Sequence, residues 1–302
     1  MTSFYESAAA ITGENRIKTK EPLNRYTTFR IGGPADYFIM PSNEKELAET
    51  IRVCREFSIP IYIVGNGSNL LVGDKGFRGA IIQLYKSMGT FQVEGNQITA
   101  QAGCSLAQIA NAALDAALTG FEFAAGIPGT LGGAVVMNAG AYGGEMKDVL
   151  TSVRVMTEEG EIMELPAEKL GLGYRTSIIP EKRYIVLGAV ISLTEGKKEE
   201  IKAQMDDLRQ KRVSKQPLEY PSAGSTFKRP EGYFAGKLIE DAGLRGFQVG
   251  GAQVSEKHCG FVINRDHATA ADIMELMRQV QIRVKENSGV DLEPEVKRLG
   301  DE

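Results

Sequence analysis

Short apolar runs rich in β-branched residues alternate along this chain with stretches of helical period. Residues 1–25 hold no sustained period and read as polar and irregular. Gly32-Gly33-Pro34 signals a turn, and 35–40 a short strand. Leu47, Ile51 and Cys54 recur at helical spacing behind Ser42 and Asn43, either of which can cap. The spacing predicts a helix over 43–57, ended by Pro60. Residues 61–64, 80–84 and 97–102 read as strands. Ser105-x-x-Gln108 is a capping box, opening a helix with Leu106, Ile109, Ala110, Ala113, Leu114 and Ala117 on one face, closed by Gly120. Alternation over 149–157 and 161–165, either side of Glu158-Glu159-Gly160, predicts a hairpin, and 184–193 a long strand. The character changes near residue 195. Residues 195–217 are charged, with Ile201, Met205 and Leu208 on one face, and read as a solvated helix crossing between domains. A short helix at 233–243, a strand at 260–264 and a long helix at about 270–287 follow. The last turns Ile273, Leu276, Met277, Val280 and Val284 to a core. No internal repeat or low-complexity segment breaks the pattern.

Two stretches fit neither period. Residues 126–145 hold seven glycines, all of them within an uncharged run of 22 residues from Phe123 to Gly144. That length could span a bilayer, but the glycines and Pro128 leave too little apolar density for it. Glycine lets another group approach the backbone, whose N–H groups can then act as ligands to a phosphate or a flat ring. A turn cluster packed on a core explains the glycines equally well, and both readings stand at this point. The second stretch, Gly65-Asn66-Gly67-Ser68-Asn69, follows a predicted strand like a phosphate-binding turn. It is neither a Walker A loop nor a G-x-G-x-x-G fingerprint, and a hairpin turn is its alternative.

Composition narrows the picture. At 302 residues, 42% hydrophobic and 25% charged, the chain is of ordinary globular type and long enough for two domains. A net charge of −4 gives no footprint for nucleic acid. Cys54, Cys104 and Cys259 are scattered and odd in number, which excludes a disulfide scaffold or a zinc site as the expectation. With no signal-peptide pattern in the first residues, a cytoplasmic protein is expected. Tryptophan is absent, and neither of the two histidines, His258 and His267, is assigned a role.

Seven motifs then occur in order: RIGGPAD (30–36), VGNGSNLL (64–71), GIPGTLGGAVVMNAGAYG (126–143), GYRTS (173–177), SAGSTFK (222–228), AGKLIEDAG (235–243) and LEPEVK (292–297). Together they resemble the UDP-N-acetylenolpyruvoylglucosamine reductases, the MurB family, over nearly the whole chain. The resemblance implies an α+β protein with an FAD-binding fold of the vanillyl-alcohol-oxidase (PCMH) type. Two α/β subdomains, 1–85 and 86–198, would be followed by an α+β substrate-binding domain at 199–289, and the tail 290–302 would return to the second subdomain. It implies NADPH as reductant and the reduction of UDP-N-acetylglucosamine enolpyruvate to UDP-N-acetylmuramate for peptidoglycan. The partner is then a small molecule, with no nucleic acid, membrane or metal involved, and the chain a monomer.

Residue by residue, the resemblance makes Arg175 the guanidinium that grips the substrate carboxylate and stabilises an enolate-like intermediate. Ser225 is its proton donor. Glu295 is the third catalytic residue, aiding as the protonated acid of a buried site. Gly65, Asn66, Gly67, Ser68 and Asn69 would hold the FAD pyrophosphate. Gly126, Ile127, Pro128, Gly129, Gly132, Gly133, Asn138, Ala139 and Gly140 would line the flavin, bound non-covalently because no His or Cys lies in these loops. Tyr174, Lys215, Lys228, Arg229 and Lys237 are the candidates for the nucleotide-sugar. Arg175 reads equally as a surface charge, Ser225 as a turn residue and Glu295 as an exposed glutamate when each is taken alone. The stretch from Arg175 to Ser225 has no room for the tyrosine loop of the family's longer form, so the chain resembles the shorter one. Two other readings stay open: an oxidase of the same flavin fold acting on a hydroxy acid or sugar, and a non-catalytic nucleotide-sugar-binding module.

Overall fold

A computed structural model describes residues 2–300. It divides into two compact units. The first takes residues 1–19, 37–66 and 79–212; the second takes 20–36, 67–78 and 213–302, with Met1, Asp301 and Glu302 outside the described residues. The division expected at 198/199 therefore lies at 212/213, inside a helix that runs unbroken over Lys198–Lys215. Nothing in a uniformly charged helix marks where its last turn changes company; only Ile201 is buried.

The first unit is built on an antiparallel sheet in the order Ile162–Pro166, Leu150–Met156, Ile185–Ser192, Gln97–Gln101, Phe91–Glu94. The hairpin read from alternation is there, Val153 opposite Leu165. The capping box forms as expected, Gln108 N–H donating to Ser105 Oγ at 3.2 Å, and turns Leu106, Ile109, Ala110 and Ala113 into the core. That helix stops at Asp115, not at Gly120. Ala117 takes a left-handed φ of 55°, freeing Leu118–Thr119 to pair with Thr194–Glu195. A second sheet orders Ile17–Pro22, Pro34–Ile39, Phe77–Gln83 and Ile61–Val64, the last two parallel.

Of residues 1–25, those described, 2–25, are not irregular. Ser3 and Glu6 close a capping box on a helix, Phe4–Thr12, and Phe4 and Ala8 pack with Ile39, Val53 and Cys54. A nine-residue helix with an alanine run is too short to show a period, and its tertiary contacts decide it. Arg16 then clamps the segment to the Glu44–Glu56 helix through a two-pronged bond to Glu46, 2.6 and 3.0 Å.

The second unit packs the helix Ala270–Ser288 on a small antiparallel sheet, Gln248–Val249, Ala252–Val254 and Val262–Asn264. Ile273, Leu276, Met277, Val280 and Val284 are all buried, as their spacing predicts. The tail does not return to 86–198. Lys297–Leu299 lies parallel to Leu70–Val72, and Leu292 and Val296 join the core of this unit. A strand of three residues carries too little pattern to name its partner.

The Arg16 guanidinium holds Glu46 down to about 2. A carboxylate so depressed adds stability above its unfolded value of about 4.3, lost as pH falls through the folded value. Arg16→Met therefore costs about 1 kcal/mol at neutral pH. It also flattens the part of the acid-side decline between about pH 4 and 2 that Glu46 carries, measured as urea midpoints across that range.

Candidate active site

In the first unit the glycine-rich stretch folds round the end of strand Gln97–Gln101. Leu131 N–H donates to Cys104 O at 2.8 Å and Gly132 N–H to Ala102 O at 2.9 Å, starting a short helix, Leu131–Val136. Gly132 is a packing glycine: a Cβ there would stand 3.0 Å from Ala102 Cβ. Asn66 Nδ2 donates to Pro128 O at 2.7 Å, and a Cβ on Gly65 would meet Thr130 Oγ1 at 2.1 Å, so these two loops touch. Thr130 carried no sequence signal, because its part is to fill the space beside Gly65.

The backbone donors here suit an anionic or ring-bearing ligand. Among the described residues, the N–H groups of Asn66, Gly126, Gly129, Thr130 and Gly133 in the first unit meet no protein acceptor. Nor do those of Gly67, Ser68 and Asn69 in the second. Donors shut off from water are normally satisfied; Thr130 and Gly67 are buried and Asn66, Gly129, Ser68 and Asn69 half-buried, while Gly126 and Gly133 are open to solvent, and in each unit the donors suit an anion or a polar ring.

Asn138 does something other than line a ligand. It is fully buried with φ 44°. Its Nδ2 donates to Glu145 Oε2 (2.6 Å) and Gly173 O (3.0 Å), and its Oδ1 accepts from Lys147 N–H (2.9 Å). Both side-chain protons are spent on the protein, so what Asn138 contributes is the bend at Ala139 and Gly140. Gly140 is closed off as well, since a Cβ there would lie 2.7 Å from Gly144 O in the adjoining hairpin.

Asn138 also fixes the loop of Arg175. Gly173 and Thr176 form a bridge, Ser177 Oγ donates to Val136 O at 2.6 Å, and Arg175 Nη2 donates to Gly140 O at 3.3 Å. Arg175 has φ 55° and lies over the Tyr174 ring, 5.3 Å from its centroid. A non-glycine residue held left-handed stores of order 1 kcal/mol and persists only where its surroundings impose it. Tyr174 is exposed beside it.

The second unit gathers Ser225, Glu295 and Asn69. Thr226 N–H donates to Gly260 O, Val262 N–H to Thr226 Oγ1 and Glu295 N–H to Thr226 O, each at 2.9 Å. Asn69 Nδ2 donates to Glu295 O at 3.2 Å, and Lys297 N–H to Asn69 O at 3.0 Å. Glu295 is buried at 9% exposure, whereas Ser225, after the left-handed Gly224, is exposed. The five basic or aromatic candidates divide. Lys228 pairs with Glu293 and Lys237 with Asp241. Arg229 stacks 3.9 Å from the Phe234 centroid while its Nε donates to Tyr233 O. Lys215, closing its helix, is exposed.

Two family models match: UDP-N-acetylenolpyruvoylglucosamine reductase, C-terminal domain, over residues 216–299, and an FAD binding domain over 35–166. The UDP-N-acetylenolpyruvoylglucosamine reductase of Agathobacter rectalis is 55% identical over 311 residues, covering 99% of each chain. The chain belongs to the UDP-N-acetylenolpyruvoylglucosamine reductase, or MurB, family. The enzyme of that name from Clostridioides difficile is 51% identical across 99% of this chain and 98% of its own. The crystal structure of MurB from Thermus caldophilus aligns with a TM-score of 0.82 at 38% identity, over 94% of this chain and 99% of that one. Phl p 4, a grass pollen allergen with glucose dehydrogenase activity, shares the fold alone, at TM-score 0.51 and 16% identity over 64% of this chain. The MurB fold, FAD-binding and α+β, is thus the fold of this chain.

Asn138→Ala removes the Asn138 amide from both the half-buried Gly173 carbonyl and Glu145 and takes the acceptor from Lys147 N–H, at about 1–3 kcal/mol in all. The variant is expected to melt several degrees lower and to lose bound flavin faster on dilution, with Asn138→Asp no better. Thermal melts and fluorescence of released flavin measure both.

Proposed function

We propose that this chain reduces UDP-N-acetylglucosamine enolpyruvate to UDP-N-acetylmuramate with electrons from NADPH, a step in supplying peptidoglycan precursor, as a cytoplasmic monomer. Family membership carries this reading. When bound, FAD supplies the hydride chemistry, taking hydride from NADPH and giving it to the terminal vinyl carbon of the substrate. The unsatisfied N–H groups of Asn66–Asn69 are suited to its pyrophosphate, and those of Gly126, Gly129 and Gly133 to its ring.

The side chains then manage charge. As the vinyl carbon gains hydride, negative charge grows at the neighbouring carbon and spreads into the carboxylate. Arg175 meets that charge with a guanidinium that stays protonated and can take a carboxylate on two N–H groups. Its bond to Gly140 O and its strained backbone support this role, because a preorganised donor needs no rearrangement as charge appears. Ser225 gives its hydroxyl proton to the carbon. A hydroxyl is a weak acid, and a carbanion is basic enough to take the proton. Glu295, tied through its backbone to Thr226 and Asn69, supports the intermediate from its buried position. Lys215, Lys228, Arg229 and Lys237 are the candidates for the diphosphate, and of these Lys228 and Lys237 already hold carboxylates. Tyr174 is assigned to the sugar.

Ser225→Ala separates the two halves of turnover. NADPH should bleach the flavin of the variant at the normal rate, while reoxidation by the enolpyruvyl nucleotide-sugar slows by about 10²–10⁴. Equal slowing of both half-reactions in stopped flow would refute the proton-donor role.

A further inference from the structure

Arg212 has no part in the chemistry described so far, and its surroundings are unusual. It sits near the end of the Lys198–Lys215 helix. On that helix Lys197, just before it, and Lys198, Lys202 and Lys211 pair with Glu200, Asp115, Asp206 and Asp207. Arg212 is half-buried instead, and among the described residues no carboxylate pairs with it. Its stem lies on the glycine-rich stretch: a Cβ on Gly126 would be 3.2 Å from Arg212 Cδ and 3.5 Å from Nη1. Tyr142, left-handed at φ 53°, lies near it. Burial strips its hydration and pushes its pKa below the usual arginine value.

A half-buried guanidinium without a counter-ion is costly, and such charges are kept where an anion meets them. Gly126 is where the flavin-side loop begins, and Gly126 N–H is one of the unsatisfied donors. A side chain at residue 126 would press on that stem and make it shift.

We propose that Arg212 is the counter-charge for the reduced flavin, its guanidinium favouring the negative charge that the cofactor gains on accepting hydride. This rests on the FAD-dependent reading above. A fixed positive charge in a poorly hydrated place acts on a neighbouring anion far more strongly than one in water. Arg212 would thus set the driving force for the first half-reaction, while Arg175 serves the second, on the substrate.

The test is a dye-equilibrated reductive titration of the holoenzyme, without substrate, comparing wild type, Arg212→Met and Arg212→Lys. At the potential where wild type is half reduced, Arg212→Met should show a ratio of reduced to oxidised flavin about tenfold lower. Arg212→Lys should recover most of that ratio. Arg212→Gln gives the same reading if the Met variant does not fold. An unchanged ratio in a flavin-loaded Met or Gln variant overturns the proposal. So does an unchanged ratio with weaker binding of UDP-N-acetylmuramate to the oxidised enzyme, which would assign Arg212 to the nucleotide diphosphate. Wild-type protein that carries no flavin and takes up none from added FAD would instead contradict the function on which the proposal rests.

Discussion

Asn138 is the constraint on which the first unit's site depends. One buried amide, held left-handed, satisfies Glu145, the Gly173 carbonyl and the Lys147 N–H together. Through Glu145 and Lys147 it closes the small hairpin Gly140–Glu145; through Gly173 it ties in the loop that carries Arg175. Arg175 can then rest on Gly140 O, with its backbone in a conformation it would not keep alone. Buried polar networks of this kind specify one arrangement only when every member is satisfied, and here the side chain's two protons are both used.

The second unit solves the matching problem with backbone. Thr226 stands between Gly260, Val262 and Glu295, and Asn69 holds Glu295 and Lys297. Ser225 and Glu295 are far apart in the chain, and this ladder is what makes them neighbours in the fold. The tail carries Glu295's flank into the core through Val296 and then through Leu299 in the strand Lys297–Leu299.

Much of the fold was legible where burial follows a period. The face Ile273–Val284, the Ser105 capping box and the 150–166 hairpin are local, and their spacing or caps state them. The N-terminal helix, the tail's partner and the unit boundary at 212/213 were not, since each depends on contacts made far along the chain. The site residues divide in the same way. Gly-rich loops announce unsatisfied N–H groups, and the order of seven motifs pointed to the family that the comparisons show. Asn138 looked like a ligand residue because sequence cannot say where an amide spends its protons. Arg212 was hidden among like charges on a polar helix, and only its burial against Gly126 distinguishes it.

On the proposed function, this chain passes electrons from NADPH to an enolpyruvyl nucleotide-sugar. The most direct test of that function is an anaerobic single turnover: enzyme reduced with one equivalent of NADPH, then mixed with UDP-N-acetylglucosamine enolpyruvate. The flavin absorbance is expected to return as one equivalent of UDP-N-acetylmuramate appears. Flavin that stays bleached with the substrate unchanged would contradict it.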